Sequence, residues 1–370
     1  LSAELRRAVL RDAAIEGKYA GSREGSMCIV DMCATLRFHT MFSSTPAVVA
    51  ASLMRRCSGS QTIILHYDDN RVSCPLRDEL HQKRYKPMLT SAIRAASDAG
   101  KVIVNGRAFR RGHRPMTSSE LHNLSVGDKI DWARMWNSRD GKMKLYKLVQ
   151  DAIKKWCVLH STVSVVSWLG DDKFIYPYEK NDDLEVHTRY PYQEADQRVC
   201  WSVCIARARG FNGTIIVHTC DTDMVMQMTA SPVGVKRTVV QFRGWWLDVP
   251  KLRTMVQKHG GGRSVCFWMI VAGGCDYCPS ATTWGYGGKE LSANIWGGFP
   301  VGQDNVMQEL TNGLASVHIR SQVKRGRVSV EDEVVYARRA RHCVRLFACD
   351  DPSVGGPVWD AHEKVCPFPA

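Results

Sequence analysis

Seven carboxylates in this chain stand where a parallel sheet would gather them. Asp31 follows the apolar run "MCIV", Asp68 follows "TIILHY", and Asp221 and Asp223 follow "TIIVHTC". Glu194 and Asp196 open the helical stretch "EADQRVCWSVCIARA", and Asp276 closes "MIVAGGCDY" after two glycines that end a helix. In an open parallel sheet the carboxyl ends of the strands border one crevice, so acids placed there converge. Like charges gathered at ~4 Å would raise their pKa values and strain the fold unless cations sat between them. Hard divalent ions resolve the conflict, because Mg²⁺ or Mn²⁺ takes oxygen ligands and accepts both direct and water-mediated carboxylates. Two such ions ~3.5–4 Å apart activate a water and stabilise the leaving oxygen of a phosphodiester. For any one of these acids the simpler alternative is an N-cap or a turn residue, and Asp69, beside Asp68, is best read as a turn. It is the ordered set that capping explains poorly.

The elements that must position these acids are legible as hydrophobic pattern. The strand candidates are 27–30, 62–67, 161–168 and 214–219, and helical patterns fall near 32–55, 77–99, 142–157 and 194–209. That alternation predicts an α/β domain with a mostly parallel central sheet flanked by helices. Helical patterns continue at 249–259, 263–274, 286–297 and 303–315, and 329–347 reads as a helix with a Ser329 cap signal and basic last turns. The stretch 101–141, rich in Gly, Arg and Ser, is the least core-like.

Composition narrows the class of partner. The chain has 370 residues, 44% apolar and 24% charged, with a formal net charge of +13. Residues 101–155 alone hold 13 Lys or Arg against 5 Asp or Glu. Such a balance suits a polyanion, most often nucleic acid. No apolar run approaches the ~20 residues of a membrane span, and no signal-peptide layout is visible. The chain begins on Leu1, which leaves open what precedes it. The 14 cysteines are scattered, and only Cys275 and Cys278 have CxxC spacing. They are expected to be reduced core thiols in an intracellular, reducing compartment, whether nucleus, organelle matrix or virus-associated.

The order and wording of the acids resemble the flap endonuclease family of structure-specific 5′-nucleases, with its PIN-like core. "CIVDMCATLRF" looks like that family's first strand and Asp-led helix. "HYDDNRVSCPLRDELHQKRY" is similar to its "FDG" strand end and "ELxKR" helix, and "QEADQRVC" to its "EAEA" segment. "CDTDMV" resembles its "EDMD" pair, "VAGGCDYC" its "GSDYC" segment, and "GYGGKEL" its helix–hairpin–helix turn. The match is collinear from about residue 5 to 295. It departs from the family in lacking the N-terminal "MGIxGL" wedge, in "YDD" for "FDG", and in the shorter Asp196.

The resemblance implies a nuclease core over 1–235 with an arch-like basic insertion at about 77–155. It also implies a helical region over 236–325 with the helix–hairpin–helix turn, and a C-terminal helix and tail over 326–370. It assigns Asp31, Asp68, Glu194 and Asp196 mostly to one Mg²⁺ or Mn²⁺ and Asp221, Asp223 and Asp276 mostly to the other. Family members often bind K⁺ beside the hairpin. Lys83 or Arg84, with Arg77 on the same helix, would face the scissile phosphate. Arg107, Arg110, Arg111 and Arg114 would contact passing single strand, with Phe109 stacking. Gly285, Gly287 and Lys289 would hold a duplex phosphate through backbone N–H groups. Each basic group also has the reading of ordinary surface charge. Trp245, Trp246 and Trp268 fit core packing better than base stacking.

The expected function is metal-dependent hydrolysis of phosphodiesters near 5′ ends, flaps or junctions of DNA or RNA. The alternatives are a non-catalytic nucleic-acid-binding or structural member of the same fold in a larger ribonucleoprotein, and an RNA-cutting relative of viral type. No sliding-clamp peptide is visible in 296–370.

Overall fold

The structure is a computed structural model that describes residues 25–39, 44–57, 59–68, 90–104, 107–160, 163–169, 172–176, 182–185, 187, 195–221, 224–225, 228–229 and 237–258. Seven strands form a mostly parallel central sheet flanked by helices, so the fold is mixed α/β as the alternating pattern predicts. The chain divides into two compact units. One comprises residues 22–73 and 78–198, the other residues 1–21, 74–77 and 199–370.

In the unit of residues 22–73 and 78–198, β1 (Met27–Asp31) leads directly into α1 (Met32–His39), then α2 (Pro46–Cys57) and β2 (Thr62–His66). All five residues of β1 are buried, as are Ile63 to His66 of β2, which is why both read as unbroken apolar runs. Next come α3 (Thr90–Asp98), the antiparallel hairpin β3 (Val102–Val104) and β4 (Arg107–Phe109), α4 (Ser118–His122), α5 (Trp132–Trp136) and α6 (Arg139–Leu159). The strands β5 (Ser164–Leu169) and β6 (Asp172–Tyr176) and the short α7 (Asp182–Glu185) complete it. Within this unit β1 pairs parallel with β2, β2 parallel with β5, and β5 antiparallel with β6.

Helix α6 buries Leu145, Tyr146, Leu148, Val149, Ala152, Ile153, Trp156 and Cys157, a stripe at helical spacing, and packs on α2, which buries Val49, Ala50, Leu53, Met54 and Cys57. Ser138 starts α6 by accepting the Gly141 N–H at 2.9 Å. No side chain fits at Gly141: a Cβ there would run into the Met135 carbonyl and approach Ser138 Oγ to 2.8 Å.

The second unit takes most of α8 (Ala195–Ala208), whose first four residues belong to the other unit, followed by β7 (Ile215–Thr219), β8 (Thr238–Phe242), β9 (Trp245–Asp248) and α9 (Val249–Lys258). β7 pairs parallel with β8, and β8 turns back on itself as an antiparallel hairpin with β9. Arg207 ties this unit's loops together: its guanidinium donates to the carbonyls of Phe211, Gly213 and Arg237 at 2.6, 2.9 and 3.1 Å. Burial, with help from Arg237, pulls it down to about 10.

Two expectations are corrected. The helix expected over 32–55 is two helices; of the expected helix at 77–99, residues 77–89 lie outside the described residues and Thr90–Asp98 is helical as α3. The stretch 101–141 carries real core: Phe109, Leu121, Ile130, Trp132 and Met135 are buried, and Thr117 with Glu120 forms a capping box for α4. Low apolar content hid it, because a few large residues suffice to bury short elements. The tryptophans at 245 and 246 divide, with Trp246 buried and Trp245 48% exposed; Trp268 lies outside the described residues. The described cysteines are all free thiols, and burial pushes Cys157 up to about 12. No helix of the described residues is long and apolar enough to cross a membrane.

Candidate functional site

Two of the acids lie at the carboxyl edge of adjacent parallel strands. Asp31 is the last residue of β1, and the register sets it opposite His66, the last residue of β2; Asp68 follows two residues later. Both carboxylates are buried, at 3% and 6% exposure. Each is also held by backbone. Asp31 Oδ1 accepts the Ala34 N–H at 3.1 Å, the capping arrangement for α1. Asp68 Oδ1 accepts the Ala195 N–H at 3.0 Å, which draws the first residue of α8 to the end of β2 across 127 residues of sequence. The helix N-terminus there favours a negative charge. Asp196 is the next residue of α8 and is half-buried.

The Cys33 thiol lies near both acids. Burial pushes it well above its usual value, and both Asp68 and Asp31 push it further. One thiol therefore lies within electrostatic reach of both carboxylates. Tyr146 of α6 donates its hydroxyl to Cys33 Sγ at 3.0 Å. Its ring packs on buried Tyr67 at 5.4 Å and against Trp136 at 6.1 Å, so Tyr146 joins Cys33 to an aromatic cluster. Burial pushes the Tyr67 hydroxyl upward as well. His66, behind Asp31, is pushed well down by burial and then by Arg198 and His187, and all three are buried. The imidazole of His66 is accordingly neutral near pH 7.

Sequence reading missed Cys33, Tyr146, His66, His187 and Arg198. Cys33 sits two residues after Asp31 and could have been noticed. Tyr146 is 113 residues from Cys33, and nothing local to either one marks the pair.

The remaining expected ligands divide in two. Asp221 belongs to the other unit, just past β7, where it is exposed and its N–H donates to Thr219 Oγ1 at 3.1 Å. Glu194, Asp223, Asp276, Arg77, Lys83, Arg84, Gly285, Gly287 and Lys289 lie outside the described residues. Among the described residues no group of three or more His, Cys, Asp or Glu could hold a metal ion. The pair Asp31 and Asp68 supplies hard oxygen donors, which suit Mg²⁺ or Mn²⁺ rather than a soft metal.

Of the expected single-strand contacts, Arg107 lies over Phe109 at 4.9 Å and donates to the Asn137 carbonyl at 3.4 Å. Phe109 is buried, so it offers no face for stacking. Arg114 is tied to Glu120 at 3.2 Å, and Arg134 grips the same carboxylate at 2.8 Å. Arg134, then the Thr117 backbone N–H, hold the Glu120 carboxyl down to about 2. Arg110 is exposed just before the turn Arg111–His113.

No family model matches this chain, and no curated protein matches it. Among solved structures, that of T5 D15 protein co-crystallized with metal ions is similar at a TM-score of 0.37 and 12% identity, over 87% of this chain and 86% of that one.

Proposed function

We propose that this chain is a divalent-metal-dependent nuclease that hydrolyses phosphodiesters near 5′ ends, flaps or junctions. The observation that supports it is the burial of Asp31 and Asp68 at the ends of neighbouring strands, both acting on one thiol. Two buried like charges are costly, and a cation held between them turns the cost into affinity. In this reading Asp31, Asp68 and Asp196, with Glu194, hold one ion, and Asp221, Asp223 and Asp276 serve a second. Bound ions would supply an acidified water and charge stabilisation at the leaving oxygen. The chain's own residues orient the ligands: the Ala34 and Ala195 N–H groups fix one oxygen of Asp31 and Asp68, and Tyr146 fixes Cys33 beside them. The net charge of +13 supports a polyanionic substrate.

The test is cleavage of matched DNA and RNA flaps in Mg²⁺ and Mn²⁺ by wild type and by the double variant Asp31→Asn with Asp68→Asn. The double variant is expected to lose at least 100-fold in rate. Equal rates for variant and wild type would overturn the reading.

The capping roles of Asp31 and Asp68 favour a second reading, a nucleic-acid-binding member of the fold without turnover. It predicts binding to branched substrates with no metal-dependent cleavage, and measurable cleavage by the pure wild-type protein eliminates it.

A further inference from the structure

We infer that the tip of the β8–β9 hairpin, Arg243–Gly244–Trp245, is a contact site for single-stranded nucleic acid, with Arg243 gripping a phosphate and Trp245 stacking on a base. The ligand class rests on the nucleic-acid reading above; the placement comes from the hairpin itself.

The turn is the first clue. Phe242 pairs with Trp245, which leaves a two-residue loop of Arg243 and Gly244, and both have positive φ, 48° and 88°. A two-residue hairpin of that kind takes Asn-Gly or Asp-Gly by preference, because Asn and Asp tolerate the left-handed region. The turn conformation itself does not favour arginine there. A residue held in an unfavourable backbone region at an exposed tip points to a role outside folding.

The second clue is how the guanidinium is held. Arg243 Nε donates to the Cys220 carbonyl at 3.0 Å, and its carbon lies 5.1 Å from the centre of the Phe242 ring. The side chain is thus anchored on one edge, and its two terminal NH₂ groups make no other hydrogen bond or ion pair among the described residues. Those groups form the fork that fits two phosphate oxygens. The carbonyl that anchors it precedes Asp221, the charged neighbour of this edge.

Trp245 is the third clue. Cross-strand partners share a face, so the indole lies on the same side of the hairpin as Phe242 and the guanidinium above it. Trp246 turns inward and is buried, whereas Trp245 is 48% exposed with no ring or hydrogen-bond partner among the described residues. An indole beside a forked cation suits a base and its phosphate. Duplex hides its base faces, so the pair selects a single strand.

The experiment measures anisotropy of fluorescein-labelled oligothymidylate, oligouridylate and a blunt duplex with the full chain in EDTA, where no cleavage interferes. Trp245→Ala is expected to weaken single-strand binding roughly 5- to 150-fold and Trp245→Phe to retain most of it. Arg243→Asn is expected to weaken binding and to lower the salt slope by about 0.7, with the melting temperature close to wild type because Asn suits the turn but gives up the Cys220 bond. A difference between the DNA and RNA strands identifies the sugar preference of the same site. If wild type binds and both Trp245→Ala and Arg243→Asn bind as tightly, the hairpin inference is wrong and the nucleic-acid reading survives. If wild type binds no strand, both are wrong. Weakened binding in the variants with no cleavage by any form keeps the hairpin site and discards the nuclease.

Discussion

Replacing Asp68 by asparagine separates the two jobs this residue performs. Its Oδ1 satisfies the Ala195 N–H at 3.0 Å, and Ala195 is itself buried. Asparagine keeps an acceptor in that place, so the bond changes from a charged to a neutral one, a loss of about 1 kcal/mol. Relief of repulsion from Asp31 offsets part of that loss. Alanine, by contrast, leaves a buried N–H without its acceptor and costs about 1–3 kcal/mol. Metal-free melting should therefore rank wild type and Asp68→Asn close together, with Asp68→Ala below. Adding Mg²⁺ reverses the comparison that matters. If the ion binds the folded state alone, a 100-fold excess over its Kd stabilises wild type by about 2.7 kcal/mol, roughly 5–10 °C in Tm for a domain of this size. Asp68→Asn should lose most of that shift and cleave at least 100-fold more slowly. Differential scanning fluorimetry with and without Mg²⁺, beside a flap-cleavage assay, reads both. A full Mg²⁺ shift in Asp68→Asn would show that the carboxylate is a cap and nothing more, and the reasoning about convergent acids would fail with it.

Three further outcomes are expected. Glu120→Gln should lower stability near neutral pH, and its difference from wild type should shrink as pH falls from about 4.5 towards about 2, because a carboxyl held down by Arg134 contributes its stability only while ionised; urea denaturation across that range checks it. Gly141→Ala should destabilise by about 1–3 kcal/mol, since the added methyl meets the Met135 carbonyl and the Ser138 cap, and a lowered urea midpoint at unchanged m-value is the readout. Arg207→Ala should cost about 2–3 kcal/mol by releasing three carbonyls at once, with Arg207→Lys intermediate because an ammonium lacks the planar fork; thermal melts rank the three proteins.

Much of this architecture is written locally. The runs at 27–30, 62–67 and 214–219 are strands because β-branched and apolar residues without polar alternation suit only a sheet buried on both faces, and the 142–157 stripe is a helix because its apolar residues recur at helical spacing. Position just after a strand was enough to single out Asp31 and Asp68. Other elements carried too little signal. Strands β8 and β9 fall within 236–325, where the resemblance implies a helical region and no strand candidate is read, and the hairpin β3–β4 has three-residue strands, too short for any period to show.

What the sequence determined by itself is the order of the strands' acids and the excess of positive charge, both properties of residue type and neighbouring pattern. Only the tertiary structure decided that Asp68 would meet Ala195 across 127 residues, that Cys33 would come within reach of both carboxylates and accept from Tyr146, and that Trp245 would be exposed where Trp246 is buried. The physical reason is that such pairs are set by strand register and by which face a helix buries. A single step in register reverses every side chain, and no local composition records that choice.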